Sequence, residues 1–254
     1  MSTPLLDRPS ALPQDCVPAL TDLVVALADN KHALGLRYGA WCSSGPTIEA
    51  GVAATAMAQD ELGHARVLYG LLEEFPDVPP RSEHEWIPGD ARTVAFLEEP
   101  FPSWPHLIVA NVLLDQALTL VLETALQSRY LPLRHRARKI TEEEQYHAIH
   151  GRGWLLQLAA EGPPVRATLE GIVRSAWADA LCWFGGDDGG ALRRLVEVGV
   201  LQHAGGPVRE RFLAVIGPLL RDCGVPAPVR AEGERWVLTE SLPWRLWDET
   251  ARRV

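Results

Sequence analysis

Lysine is nearly missing from this chain. Only Lys31 and Lys139 occur in 254 residues, although Lys and Arg together number 24. Asp and Glu number 33, and the formal charge is −9. With no Lys/Arg-rich patch to reverse it, that balance argues against a nucleic-acid partner. Cysteine is also scarce. Cys16, Cys42, Cys182 and Cys223 are scattered, with no Cys-x-x-Cys, so neither a zinc site nor a disulfide framework is expected. They read as reduced thiols of a cytoplasmic protein. No uninterrupted apolar run looks long enough to span a bilayer, so no membrane partner is expected. The polar, proline-bearing start (residues 1–15) lacks the features of a signal peptide. Strand-like alternation of any length is missing, which leaves an all-α fold.

What is present is helical periodicity. From Val17 to Trp41, Leu20, Leu23, Val24, Leu27, Leu34 and Tyr38 recur at steps of three and four. Cys42 to Pro46 reads as a turn, with Ser44 or Gly45 a possible cap ahead of Pro46. A second helix is expected from about Thr47 to Phe75, rich in alanine and stopped by Pro76, Pro79 and Pro80. Residues 76–103, with Trp86, Pro88 and Gly89, form a connection long enough to be a crossover or a functional loop. A third helix spans about Trp104 to Ser128 and is apolar nearly all round, as a buried helix should be. A fourth runs to about Ala160. Two helical hairpins joined by a long crossover define a ferritin-like four-helix bundle. The expected organisation is a flexible leader (1–16), the bundle (17–161) and a C-terminal helical extension packed on it (162–254).

Two Glu-x-x-His signatures carry the chemistry: Glu61 with His64, and Glu144 with His147. Residues three apart share a helix face, so each pair can reach one point. One pair would pass for a surface feature. Two pairs on separate helices are what a bundle uses to hold two metals, with one further carboxylate from each remaining helix. Register locates those positions. Around the second turn, the antiparallel neighbour of Glu144 is Asp115, an acid in an apolar helix that needs a partner. Around the first turn, the neighbour of Glu61 is Lys31. The separations nearly match, 61 − 31 = 30 and 144 − 115 = 29. A cation therefore stands where a carboxylate is expected. Asp60, one step from Glu61, is expected to face away or to support a neighbour. His150 is read as a plain polar contact, and Glu123 has no clear role.

Asp60-Glu61-Leu62-Gly63-His64 with Leu68-Tyr69, and Glu144-Gln145-Tyr146-His147, resemble the metal helices of the phenylacetyl-CoA epoxidase catalytic subunit. Leu27 to Lys31 and Trp41 to Pro46 resemble its companion subunit, which shares the fold but has lost the metals. The resemblance covers about residues 17–160 and more weakly the helices beyond. It implies two irons, with manganese an alternative, held by Glu61, His64, Asp115, Glu144 and His147. It further implies dioxygen activation, an aromatic acyl-CoA or other small-molecule substrate, a separate reductase, and a homo- or hetero-oligomer. The family's remaining acid falls on Lys31.

Three readings of Lys31 follow. It is an ammonium that replaces one metal's charge, leaving one metal or none and a non-catalytic partner subunit. Alternatively, it is a neutral amine or carbamate beside two metals in a working oxygenase, where it would count as a catalytic residue. Lastly, it points away to the surface, the weakest reading in so lysine-poor a chain. The sequence leaves the first two open. The basic run Arg134, Arg136, Arg138 and Lys139 is a weak candidate for acyl-CoA phosphates, with a solvated helix face the blander account.

Overall fold

The computed structural model describes residues 5–79, 81 and 91–254. Trp86, Pro88 and Gly89 of the long connection lie outside them. Among the described residues seven helices form, with one two-stranded sheet: an all-α helical bundle. The bundle helices are α1 (Val17–Gly39), α2 (Ile48–Leu72), α3 (Trp104–Glu123) and α4 (Leu131–Ala160).

Side-chain contacts fix the helix directions. Trp41, just past α1, packs edge-on against Trp104 at the start of α3. Tyr130, just before α4, hydrogen-bonds Glu74, just past α2. The end of α2 and the start of α3 therefore lie at opposite ends of the bundle, and the connection crosses its length. That is the ferritin-like connectivity, produced by alternating helix directions around a closed ring of four.

Local chemistry sets the boundaries. Thr47 caps α2, its hydroxyl accepting from the Ala50 N–H at 3.1 Å. The cap was expected at Ser44 or Gly45; Pro46 instead precedes the helix, because Thr47 supplies a side-chain acceptor for the first turn. Pro132 sits in the first turn of α4, where its missing N–H removes no helical bond. α3 is long and apolar enough to cross a membrane by length and composition, contrary to the sequence reading. However, 83% of its apolar window is buried inside the protein, so its apolar surface is used by the core. Within it, Ala110–Asp115 winds as a π-helix.

α1 is buried on nearly every side, and its polar residues pin the crossover. Asp29 accepts from Tyr69 Oη, Arg81 and the Arg92 N–H at 2.6, 2.9 and 2.7 Å. Asn30 donates to the Arg92 carbonyl and accepts from the Val94 N–H. These side chains satisfy backbone groups that no regular structure serves.

The leader was expected to be flexible. From residue 5 it is instead tied down: Leu6 exchanges backbone hydrogen bonds with Arg129 and Leu131, both 2.8 Å, and Leu12 and Cys16 are buried. A few apolar anchors in a polar stretch gave no periodic signal. Beyond the bundle come α5 (Pro163–Cys182), α6 (Arg193–Glu197) and α7 (Gly206–Cys223). The sequence reading missed a hairpin of β1 (Val229–Glu232) and β2 (Arg235–Leu238). Its strands are only four residues long, turned at Gly233 with φ 62°, too short for alternation to register. Trp236 of β2 packs on Gly217 of α7, where any Cβ would collide with the ring.

Candidate functional site

The bundle interior brings six side chains together: Lys31 from α1, Glu61 and His64 from α2, Asp115 from α3, and Glu144 and His147 from α4. Each is at most 3% exposed. Lys31 Nζ lies 2.5 Å from Glu144 Oε1, 2.6 Å from Asp115 Oδ1 and 3.1 Å from Glu61 Oε1. The surface reading of Lys31 is thereby overturned. An ammonium carries three donors, and here each has a carboxylate.

Both imidazoles turn Nδ1 toward the carboxylates. His64 Nδ1 is 3.1 Å from Glu144 Oε1, and His147 Nδ1 is 3.2 Å from Asp115 Oδ2. Their outer nitrogens meet further carboxylates: His64 Nε2 lies 2.7 Å from Glu143 Oε2, and His147 Nε2 lies 3.4 Å from Asp60 Oδ2. Asp60 thus supports a neighbour. The run Glu142-Glu143-Glu144 sends three acids to three surroundings, since each step turns the helix by about 100°. Glu142 pairs with Arg138 outside, Glu143 holds His64, and Glu144 is buried on Lys31.

Two contributors escaped the sequence reading. Tyr38 Oη donates to Asp115 Oδ2 at 3.3 Å, and Asn111 Nδ2 donates to the same oxygen at 3.2 Å. Asn111, the one other polar residue of the π turn beside Asp115, was the available signal for the second. Gly151 of α4 makes room for it: a Cβ there would fall 1.8 Å from Asn111 Oδ1. His150 lies among Trp104 and Trp154, outside the cluster. Glu123 pairs with Arg211 at the surface. In the basic run, Arg136 is engaged by Glu74 and Arg138 by Glu142, while Arg134 and Lys139 have no ion-pair partner among the described residues.

The charges compensate one another. Burial alone would push Lys31 toward its neutral amine, but Asp115, Glu144 and Glu61 together hold its pKa above the ordinary lysine value. Burial likewise works against protonated histidines. The nearby carboxylates of Glu144 and Glu61 nevertheless raise His64 to about 9, and Asp115 and Glu61 raise His147 to about 11. Burial, then Asp115, pushes Glu144 up to about 7 against the pull of Lys31. Asp115 goes the other way: burial resists, but Lys31 and His147 hold it well below the usual carboxylate range. Three carboxylates facing one ammonium and two protonated imidazoles sit close to neutrality.

Glu61, Asp115, Glu144 and His147 each offer a ligand atom within 4.8 Å of the others, a grouping that could hold a metal ion. A pair of divalent ions does not fit beside Lys31 as it stands. Its ammonium already engages three of the carboxylate oxygens such a pair would need, and cations a few ångströms apart repel strongly in a buried site.

A ring of four helices with an inward carboxylate–histidine cluster defines the class of ferritin-like bundle proteins. The chain belongs to the family described as phenylacetic acid catabolic protein, whose pattern it matches over residues 5–241. The family places it among proteins of phenylacetate oxygenation, in assemblies of more than one subunit. No individual curated protein matches the sequence.

Proposed function

We propose that this chain is a non-catalytic subunit of a phenylacetate-ring oxygenase, a ferritin-like bundle whose core is closed by Lys31 in place of metal. One observation carries the reading: a fully buried ammonium bonded to Glu61, Asp115 and Glu144. The neutral-amine form of Lys31 is disfavoured by three adjacent carboxylates, and the carbamate form would place a fourth anion among them. Such a subunit takes no part in oxygen activation. It contributes a stable bundle against which a metal-holding companion assembles.

A second reading draws on the outer carboxylates. Metal-bound histidines usually place their second nitrogen on a carboxylate, and Glu143 and Asp60 stand in that position. Under it, Glu61, His64, Asp115, Glu144 and His147 hold iron or manganese once Lys31 withdraws, and the metal supplies dioxygen activation with electrons from a reductase.

One experiment separates them. The full chain is purified after growth with iron and manganese, and metal per chain is measured beside a Lys31→Glu variant. The subunit reading expects less than about a tenth of an equivalent in the parent and bound metal in the variant, which regains the sixth donor. Close to two irons per parent chain would sink it and favour the oxygenase.

A further inference from the structure

The outward face of α4 is apolar where a bundle helix should be polar. Tyr146 is 67% exposed, Ile149 68% and Leu156 39%. With Gly153 they step by three, four and three residues, the seam along which helices pair. No heavy atom comes within 4 Å of a Cβ built on Gly153, so the seam holds an open hole between two ridges. Ile149 also forms one wall of a groove of about 220 Å³ that α4 shares with α7, where Val215 and Leu219 line the other side.

Charge selects the occupant. The chain carries a net −9, yet among the described residues neither Arg152, at the groove, nor Lys139, two turns before the seam, has an ion-pair partner. The exposed acid of that stretch, Glu142, is already engaged by Arg138. A second copy paired across a two-fold axis at the centre of the seam would bring Arg152 close to its own mate, a like-charge contact. A helix with an apolar seam flanked by carboxylates satisfies both the shape and the charge.

We propose that the outward face of α4 is the docking site for an acidic amphipathic helix of a different chain. The proposal rests on the subunit reading above and names the surface through which that role is exercised. Tyr146 and Ile149 are the anchors, Gly153 receives a partner side chain, and Arg152 meets a partner carboxylate.

The test pairs this full-length chain with a family member that carries a carboxylate at the position of Lys31. A photo-crosslinking residue replaces Tyr146 or Ile149, and the joined peptides are identified by mass spectrometry. The expected product is a partner helix with acids beside an apolar seam. Ile149→Asp and Arg152→Glu should each weaken the complex at least tenfold, and added salt should weaken the parent complex. Both residues are exposed, so the melting temperature of the isolated chain should not move, which separates lost docking from lost folding. Crosslinks between two copies of this chain would overturn the proposal, as would a complex indifferent to both variants or no complex at all. The metal assay judges the subunit reading separately, so a metal-free chain that assembles through another face would remove the docking site and leave that reading intact.

Discussion

Removing the ammonium of Lys31 while keeping its length, as in Lys31→Met, isolates the term on which the core depends. Its contacts of 2.5, 2.6 and 3.1 Å each correspond to roughly 5–7 kcal/mol of attraction at an effective dielectric of about 20. Desolvation offsets much of this, by several kcal/mol per ion, so the gross attraction is not the stability it provides. The variant, however, leaves three buried carboxylates with only two imidazoles to balance them. Breaking a buried pair from one side typically destabilises by about 3–5 kcal/mol, and that is the loss expected here at pH 7 in the presence of a chelator. The deficit should shrink toward pH 5. Without Lys31 the carboxylates bind protons more readily in the folded chain than in the unfolded one, so lowering the pH favours folding. Manganous or ferrous ion should also restore stability, by about 2.7 kcal/mol at a concentration one hundred times the dissociation constant. Urea denaturation under these three conditions gives the answer. A loss under about 1 kcal/mol in chelator, unchanged by pH or metal, would refute the claim that the ammonium neutralises the core.

Three further outcomes are expected. Burial raises Asp179 to about 6, assisted by Glu98 and opposed by the Phe96 N–H. With a folded pKa above its unfolded value near 3.8, the folded state holds more protons between the two, so this residue's contribution to stability increases as pH falls from above 6 to about 4. Asp179→Asn should flatten that slope and be more stable than the parent at pH 8 by at most about 3 kcal/mol, read from melting curves across pH. Gly151→Ala would drive a methyl into Asn111 and should destabilise by roughly 1–3 kcal/mol. Gly63→Ala meets no atom within 4 Å and should stabilise by about 0.5–1 kcal/mol, so equal effects at the two glycines would contradict the packing account. Asp29→Ala removes the acceptor of Tyr69, Arg81 and the Arg92 amide. Hydrogen exchange at Arg92 should then accelerate at least tenfold, while amides in the middle of α4 stay slow.

The Glu-x-x-His pairs at Glu61 and Glu144 were legible because helix periodicity converts a spacing of three into a shared face. Asp115 was legible because an antiparallel hairpin fixes which residues lie level. Lys31 emerged from the same construction, as the one position where register and chemistry disagreed. The cap at Thr47 was missed because several capping residues lie close together before α2, and only the backbone geometry chooses among them. The hairpin at Val229–Leu238 was missed because its strands are too short to carry a pattern.

By itself, then, the chain's order of residues determined the helices, their pairing and the level at which charged side chains face inward, since all of these follow from local periodicity and turn position. Only the tertiary structure decided what those side chains do to one another. Whether Lys31 reaches three carboxylates, whether Glu143 and Asp60 back the histidines, and whether Asn111 finds a gap opposite Gly151 depend on distances between helices remote in the chain. Those distances come from the packing of the whole core, and electrostatic and packing energies change steeply with separation where water is excluded.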